Sequence, residues 1–170
     1  PPTWCTADAG NGLCDPAVNT TGYCQGGEIV GNDPHDTSVE ITPDWVGDWI
    51  DFLESRHGGA AAGGVRYFAL DNEVMLWNST HRDVHPQPPT YDEVWSRGLA
   101  VAEELRARDP GASILGPVTW GWCDLFTSAA DAAAGPSCID GADRQAHGGV
   151  EFVRWYLRQA CAHERATGVR

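Results

Sequence analysis

Two short β-prone runs, Val65-Arg-Tyr-Phe-Ala-Leu70 and Ser113-Ile-Leu-Gly-Pro117, stand on either side of one capped helical pattern. The first run does not alternate apolar and polar residues, as expected of a strand covered on both faces. Strand, helix and strand in that order predict a parallel pair, because parallel neighbours need a crossover rather than a tight turn. Two parallel strands do not make a stable sheet alone; they need further strands and helices on both faces. A closed (β/α)8 barrel takes about 250 residues, and this chain has 170. The expected fold class is therefore α/β, as an incomplete middle segment of such a barrel, two strands with flanking helices.

The rest of the chain reads consistently with that frame. Residues 1–41 are rich in turn residues and are expected to be a loop region stapled by cysteines. Thr42-Pro43 supplies an N-cap and a first-turn proline, and Trp45, Val46, Trp49, Ile50 and Leu53 follow at helical spacing. Trp45 and Trp49 are expected in the core. Gly58-Gly59 ends that helix, and 58–64 is a connector. After the first strand comes a polar loop, 71–89. Thr90-Tyr-Asp-Glu93 is a capping box opening a helix to about Arg108, with Val94, Val101 and Leu105 inward. A loop to about Gly149 precedes a third helix, about 150–166, expected to bury Val153, Leu157 and Cys161. The expected division is a cysteine- and turn-rich region at 1–41 and a partial (β/α)8 barrel domain at 42–170.

Charge narrows the partners. A formal net charge of −13 would repel polyphosphate, so nucleic acid and anionic membrane surfaces are not expected partners, whereas a neutral polymer is compatible. No apolar run approaches the ~18 residues of a membrane span. Six cysteines at wide spacing, Cys5, Cys14, Cys24, Cys123, Cys138 and Cys161, suggest disulfides and a secreted protein. Their connectivity is open among 15 possibilities. Cys123 and Cys138 flank one loop and are the expected pair. A secretory leader is expected to lie outside this chain or to have been removed.

The chemistry concentrates at the end of the first strand. Asp71, Asn72 and Glu73 come directly after it, and barrels of this kind keep their active sites at the C-terminal ends of their strands. Strand alternation would set Asp71 and Glu73 on one side and Asn72 on the other, unless a bulge turns both toward the cleft. A carboxyl in a partly desolvated cleft can hold a proton near neutral pH, as a general acid must.

Leu70-Asp-Asn-Glu73, Leu76-Trp77, Ser79-Thr-His-Arg-Asp-Val-His-Pro86, Tyr91-Asp-Glu93, Asp109-Pro and Gly116-Pro117 together resemble glycoside hydrolase family 44. The resemblance runs from about Val65 to Arg170, with Trp45–Phe52 as the preceding helix. It implies a (β/α)8 barrel in which the two runs are about strands 4 and 5, and endo-acting β-glucanase or xyloglucanase activity, with Glu73 as general acid/base and Asn72 on the sugar 2-hydroxyl. The family usually has proline after the glutamate, where this chain has Val74-Met75, so the loop shape is expected to differ. Retaining hydrolysis needs a second carboxylate about 5–5.5 Å from the acid. The resemblance puts it on strand 7, outside this chain; the chain alone is therefore expected to be inactive.

His81-Arg-Asp-Val-His85 could suggest a metal site, but a proline-bounded loop does not present i,i+4 ligands as a helix does, so no metal and no cofactor are expected. His81 and His85 are expected to line the substrate cleft or to hold the loop by hydrogen bonds instead. Trp77 and Trp120 lie just past the strand ends, as does Trp122, where flat faces could stack on pyranose rings. The expected partner is a polysaccharide, and the whole enzyme a monomer. The competing reading is a non-catalytic carbohydrate-binding or degenerate barrel protein that keeps the tryptophans without a nucleophile.

Overall fold

The computed structural model describes residues 13–14, 29–30, 34–36, 38–81, 84–135 and 137–169. In chain order the elements are β1 (Leu13–Cys14), β2 (Ile29–Val30), α1 (Pro43–His57), β3 (Tyr67–Ala69) and α2 (Trp77–Thr80). Then come α3 (Tyr91–Arg108), β4 (Ser113–Leu115), α4 (Ala129–Ala134), α5 (Ala142–Ala146) and α6 (Phe152–Thr167). They fall into two compact units, residues 1–40 with 76–87, and residues 41–75 with 88–170.

In the first unit β1 and β2 form a two-residue antiparallel ladder, Leu13 opposite Val30 and Cys14 opposite Ile29. The turn-rich region thus holds regular structure that its composition did not announce. Cys5 and Cys24 lie outside the described residues.

In the second unit β3 and β4 pair in parallel, with Tyr67, Phe68 and Ala69 opposite Ser113, Ile114 and Leu115. The crossover is α3, opened by Thr90, whose side chain accepts the Glu93 N–H. Thr42 caps α1 in the same way through the Trp45 N–H. Ile50, Phe68, Leu105 and Ala112 form the buried core between α1, α3 and the sheet, with Val46, Leu53 and Ile114 against it. Gly47 faces α3, where a Cβ would meet the tips of the Glu104 and Arg108 side chains. Arg108, near the end of α3, ties the pair by reaching Asp44 and Asp51 of α1 while bonding Glu104 on its own helix.

Three burial expectations are corrected. Only one face of the sheet is covered among the described residues: Phe68 is buried, whereas Tyr67 is 63% exposed and Leu115 is exposed. Trp45 and Trp49 are 54% and 47% exposed, because α1 turns Gly47 and Ile50 inward. On α6 the buried residues are Phe152, Trp155 and Tyr156, and Leu157 and Cys161 face outward. The aromatic row prevails because Tyr91 offers it rings at 4.9 Å from Phe152 and 5.3 Å from Trp155. On α3 the expectation holds for Val94 and Leu105, which are buried, while Val101 is half-buried.

Candidate active site

Both strands of the parallel pair end in the same direction, so the segments after Ala69 and after Leu115 emerge at one end. Beyond β3 the backbone is no longer extended. Asp71 and Glu73 take left-handed conformations, φ 69° and 57°, uncommon for residues with a Cβ and frequent at functional sites. The Asn72 N–H donates to Asp71 Oδ1 at 2.6 Å. Strand alternation therefore does not apply to these three residues. Glu73 is half-buried, Asn72 is exposed, and Val74 and Met75 bury themselves immediately after.

The Val74 N–H donates to the Val118 carbonyl at 3.2 Å. That bond joins the residue after Glu73 to the segment beyond β4, across the cis Gly116–Pro117 peptide. Two residues further on is Trp120, whose side chain is exposed. The Trp120 N–H and the Gly121 N–H both donate to Oδ2 of the buried Asp124 at 3.0 Å. Sequence reading overlooked Asp124; the available signal was an acidic residue four positions after a tryptophan, within reach of a turn's free N–H groups.

Trp77, His81 and His85 belong to the other unit and come together there. Trp77 opens α2, the His81 N–H donates to the Trp77 carbonyl at 2.8 Å, and the His85 N–H donates to the His81 carbonyl at 2.7 Å. The Trp77 and His85 rings meet edge to face at 5.1 Å. Asp83, between the two histidines, lies outside the described residues. Among the described residues no three His, Cys, Asp or Glu side chains gather as a metal-binding group. Nor is any described helix long and apolar enough to cross a membrane.

Cys123 and Cys138 are free thiols, so the expected cross-link is not closed in this structure. The two nevertheless meet: a hydrogen bond with Cys138, and burial after it, raise the Cys123 thiol above its ordinary range. Two shallow concavities elsewhere, lined by Val153, Leu157 and Cys161 of α6 and by Arg106 and His163 of α3 and α6, include neither Glu73 nor Trp120.

A strand-end carboxyl beside an exposed tryptophan loop is an arrangement suited to glycan chemistry, and comparison with known proteins agrees. The model of glycoside hydrolase family 44 matches residues 2–170, and the chain belongs to that family. It is similar to CelM2, described as a bifunctional glucanase-xylanase from a metagenome library, at 38% identity and a TM-score of 0.78, over 84% of this chain and 28% of that one. It is also similar to a Paenibacillus polymyxa xyloglucanase of the family, at 30% identity and a TM-score of 0.62, over 74% and 23%. Among curated proteins it is 28% identical to the β-mannanase/endoglucanase A of Caldicellulosiruptor saccharolyticus, over 73% of this chain and 9% of that protein. The chain thus spans less than a third of each of these relatives.

Proposed function

We propose that these residues are the acid/base-bearing part of a secreted, retaining endo-β-glycanase acting on β-1,4-glucan or xyloglucan. Its catalytic domain would be a (β/α)8 barrel in which β3 and β4 are the fourth and fifth strands. The observation carrying the reading is Asn72-Glu73 at the end of a parallel strand, held by left-handed backbone, in a chain of family 44.

In this mechanism Glu73 donates its proton to the glycosidic oxygen as the bond to the leaving sugar breaks. A second carboxylate, supplied from beyond these residues, attacks the anomeric carbon and forms a glycosyl-enzyme. Glu73, now ionised, takes a proton from the water that releases the sugar. Asn72 donates to the 2-hydroxyl and Trp120 contacts the polymer, while Trp77, His81 and His85 offer polymer contacts of their own on the other unit. Secretion would let Cys123 and Cys138 pass two hydrogens to a thiol–disulfide oxidant and close as a disulfide; their contact supports this.

The test is Glu73→Gln in a protein carrying the whole catalytic domain. Hydrolysis of xyloglucan is expected to fall by about 100- to 10,000-fold, the usual contribution of a general acid–base. An aryl glycoside with a good leaving group should lose far less in the glycosylation step, because such a group departs with little protonation. Equal losses on activated and unactivated substrates would remove the acid role. A parent protein that binds xyloglucan without cleaving it would favour the non-catalytic reading.

A further inference from the structure

Trp122 is 72% exposed, two residues beyond Trp120 on the loop after β4. An indole kept in water forgoes the burial that favours large apolar side chains. Here both indoles sit on a loop that is held in place. At its start, the Val118 carbonyl accepts the N–H of the residue next to Glu73. In its middle, Asp124 gathers the Trp120 and Gly121 N–H groups on one oxygen. The Leu125 N–H donates to the Trp122 carbonyl at 3.2 Å, and the Trp122 ring meets the Phe126 edge at 5.4 Å. At its end, the Phe126 carbonyl accepts the Tyr91 hydroxyl at 2.7 Å and the Phe152 N–H at 3.2 Å.

We propose that Trp120 and Trp122 form one sugar-stacking platform beside Glu73, and that Asp124 is the residue that positions it. The inference rests on the glycanase reading of Glu73 and adds to it a second ring and the group that orders both. Flat apolar faces suit the C–H faces of a β-linked glycan. A loop ordered before the ligand arrives loses little conformational freedom on binding. Asp124 does not touch the sugar. It acts through the turn, because an uncapped Trp120–Gly121 backbone would leave two N–H groups to find other partners and let the rings reorient.

The experiment uses the enzyme with its complete catalytic domain, with xyloglucan and a short aryl cellobioside as probes. Trp122→Ala and Asp124→Ala should each raise KM for xyloglucan by about tenfold, the equivalent of about 1.4 kcal/mol. The effect on kcat, and on the short substrate, should be much smaller. Asp124→Asn, which keeps one carbonyl oxygen for the two N–H groups, should recover most of the lost affinity. The Asp124→Ala/Trp122→Ala double variant should be no worse than the poorer single variant, because both act through one platform. Trp122→Ala removes an exposed ring, so it reports even if Asp124→Ala fails to fold. A parent-like KM for Trp122→Ala overturns the platform, and additive losses in the double variant overturn the positioning role. If Glu73→Gln keeps the parent rate while these KM changes persist, the acid assignment falls and the platform stands.

Discussion

At the scale of single residues, the most consequential pairing away from the site is between two carboxyl groups. Asp109 is buried beyond α3 and accepts the Ala60 and Gly111 N–H groups at 2.7 and 2.9 Å; those bonds, the Ala60 bond foremost, hold its carboxyl below the ordinary aspartate range. Glu54 faces it from α1. Burial first, and then its hydrogen bond to Asp109, raise the Glu54 carboxyl above its ordinary value of 4.5. A raised carboxyl stabilises the fold while protonated, below the unfolded value, and that contribution is lost as pH rises through the folded value. Glu54→Gln keeps a donor toward Asp109 without the ionisation. It should therefore raise the unfolding midpoint at pH 7 relative to the parent, with the gain shrinking as pH falls toward 4. A midpoint difference that does not change with pH would show that the two carboxyls do not share a proton. Neither partner was legible as half of a pair, since they stand far apart in sequence and meet only when α1 packs on α3. Glu73 was legible, because a carboxyl after a buried strand is a local pattern. Its left-handed backbone was not, because nothing in Asp-Asn-Glu requires positive φ.

At the scale of elements, the two long helices with side-chain caps were readable to within a residue. Thr42 and Thr90 announce α1 and α3, and each accepts the N–H three positions on. The short helices α4 and α5 were not readable. Ala129–Ala134 has no apolar period; it stands because Ser128 accepts the Asp131 N–H, while Asp131 in turn accepts the Asp143 and Arg144 N–H groups that open α5. That chain of caps is tertiary, linking residues no local pattern connects. The segment between α4 and α5 carries Cys138, which meets Cys123. A disulfide there would close a loop of about 15 residues and add roughly 3 kcal/mol by restricting the unfolded chain. Mass mapping of a non-reduced digest of the protein, expressed into an oxidising compartment, should recover the two residues in one linked peptide, and reductant should lower the unfolding midpoint. Two thiols that both alkylate without prior reduction would show that their contact never oxidises.

At the scale of the whole molecule, the parallel sheet is a pair of three-residue strands with Tyr67 and Leu115 exposed on one face. Among the described residues neither strand has a second neighbour, and unpaired strand edges invite association with other chains. The 170 residues expressed by themselves should lack a sharp cooperative unfolding transition by circular dichroism and should release no reducing sugar from xyloglucan. Sugar release that depends on Glu73 would show that these residues supply a nucleophile of their own. The α/β class was legible from the order of runs and caps; the one-sided burial was not, because an apolar strand reads the same whether one face is covered or two. The left-handed residues at the end of β3 also pull evolution in two directions. Glycine at 71 or 73 would relax the backbone, so mutant libraries screened for heat survival alone should drift toward glycine there. At 73 that drift would delete the proposed proton donor, whereas a screen for growth on glucan would keep the strained glutamate against its own thermal cost.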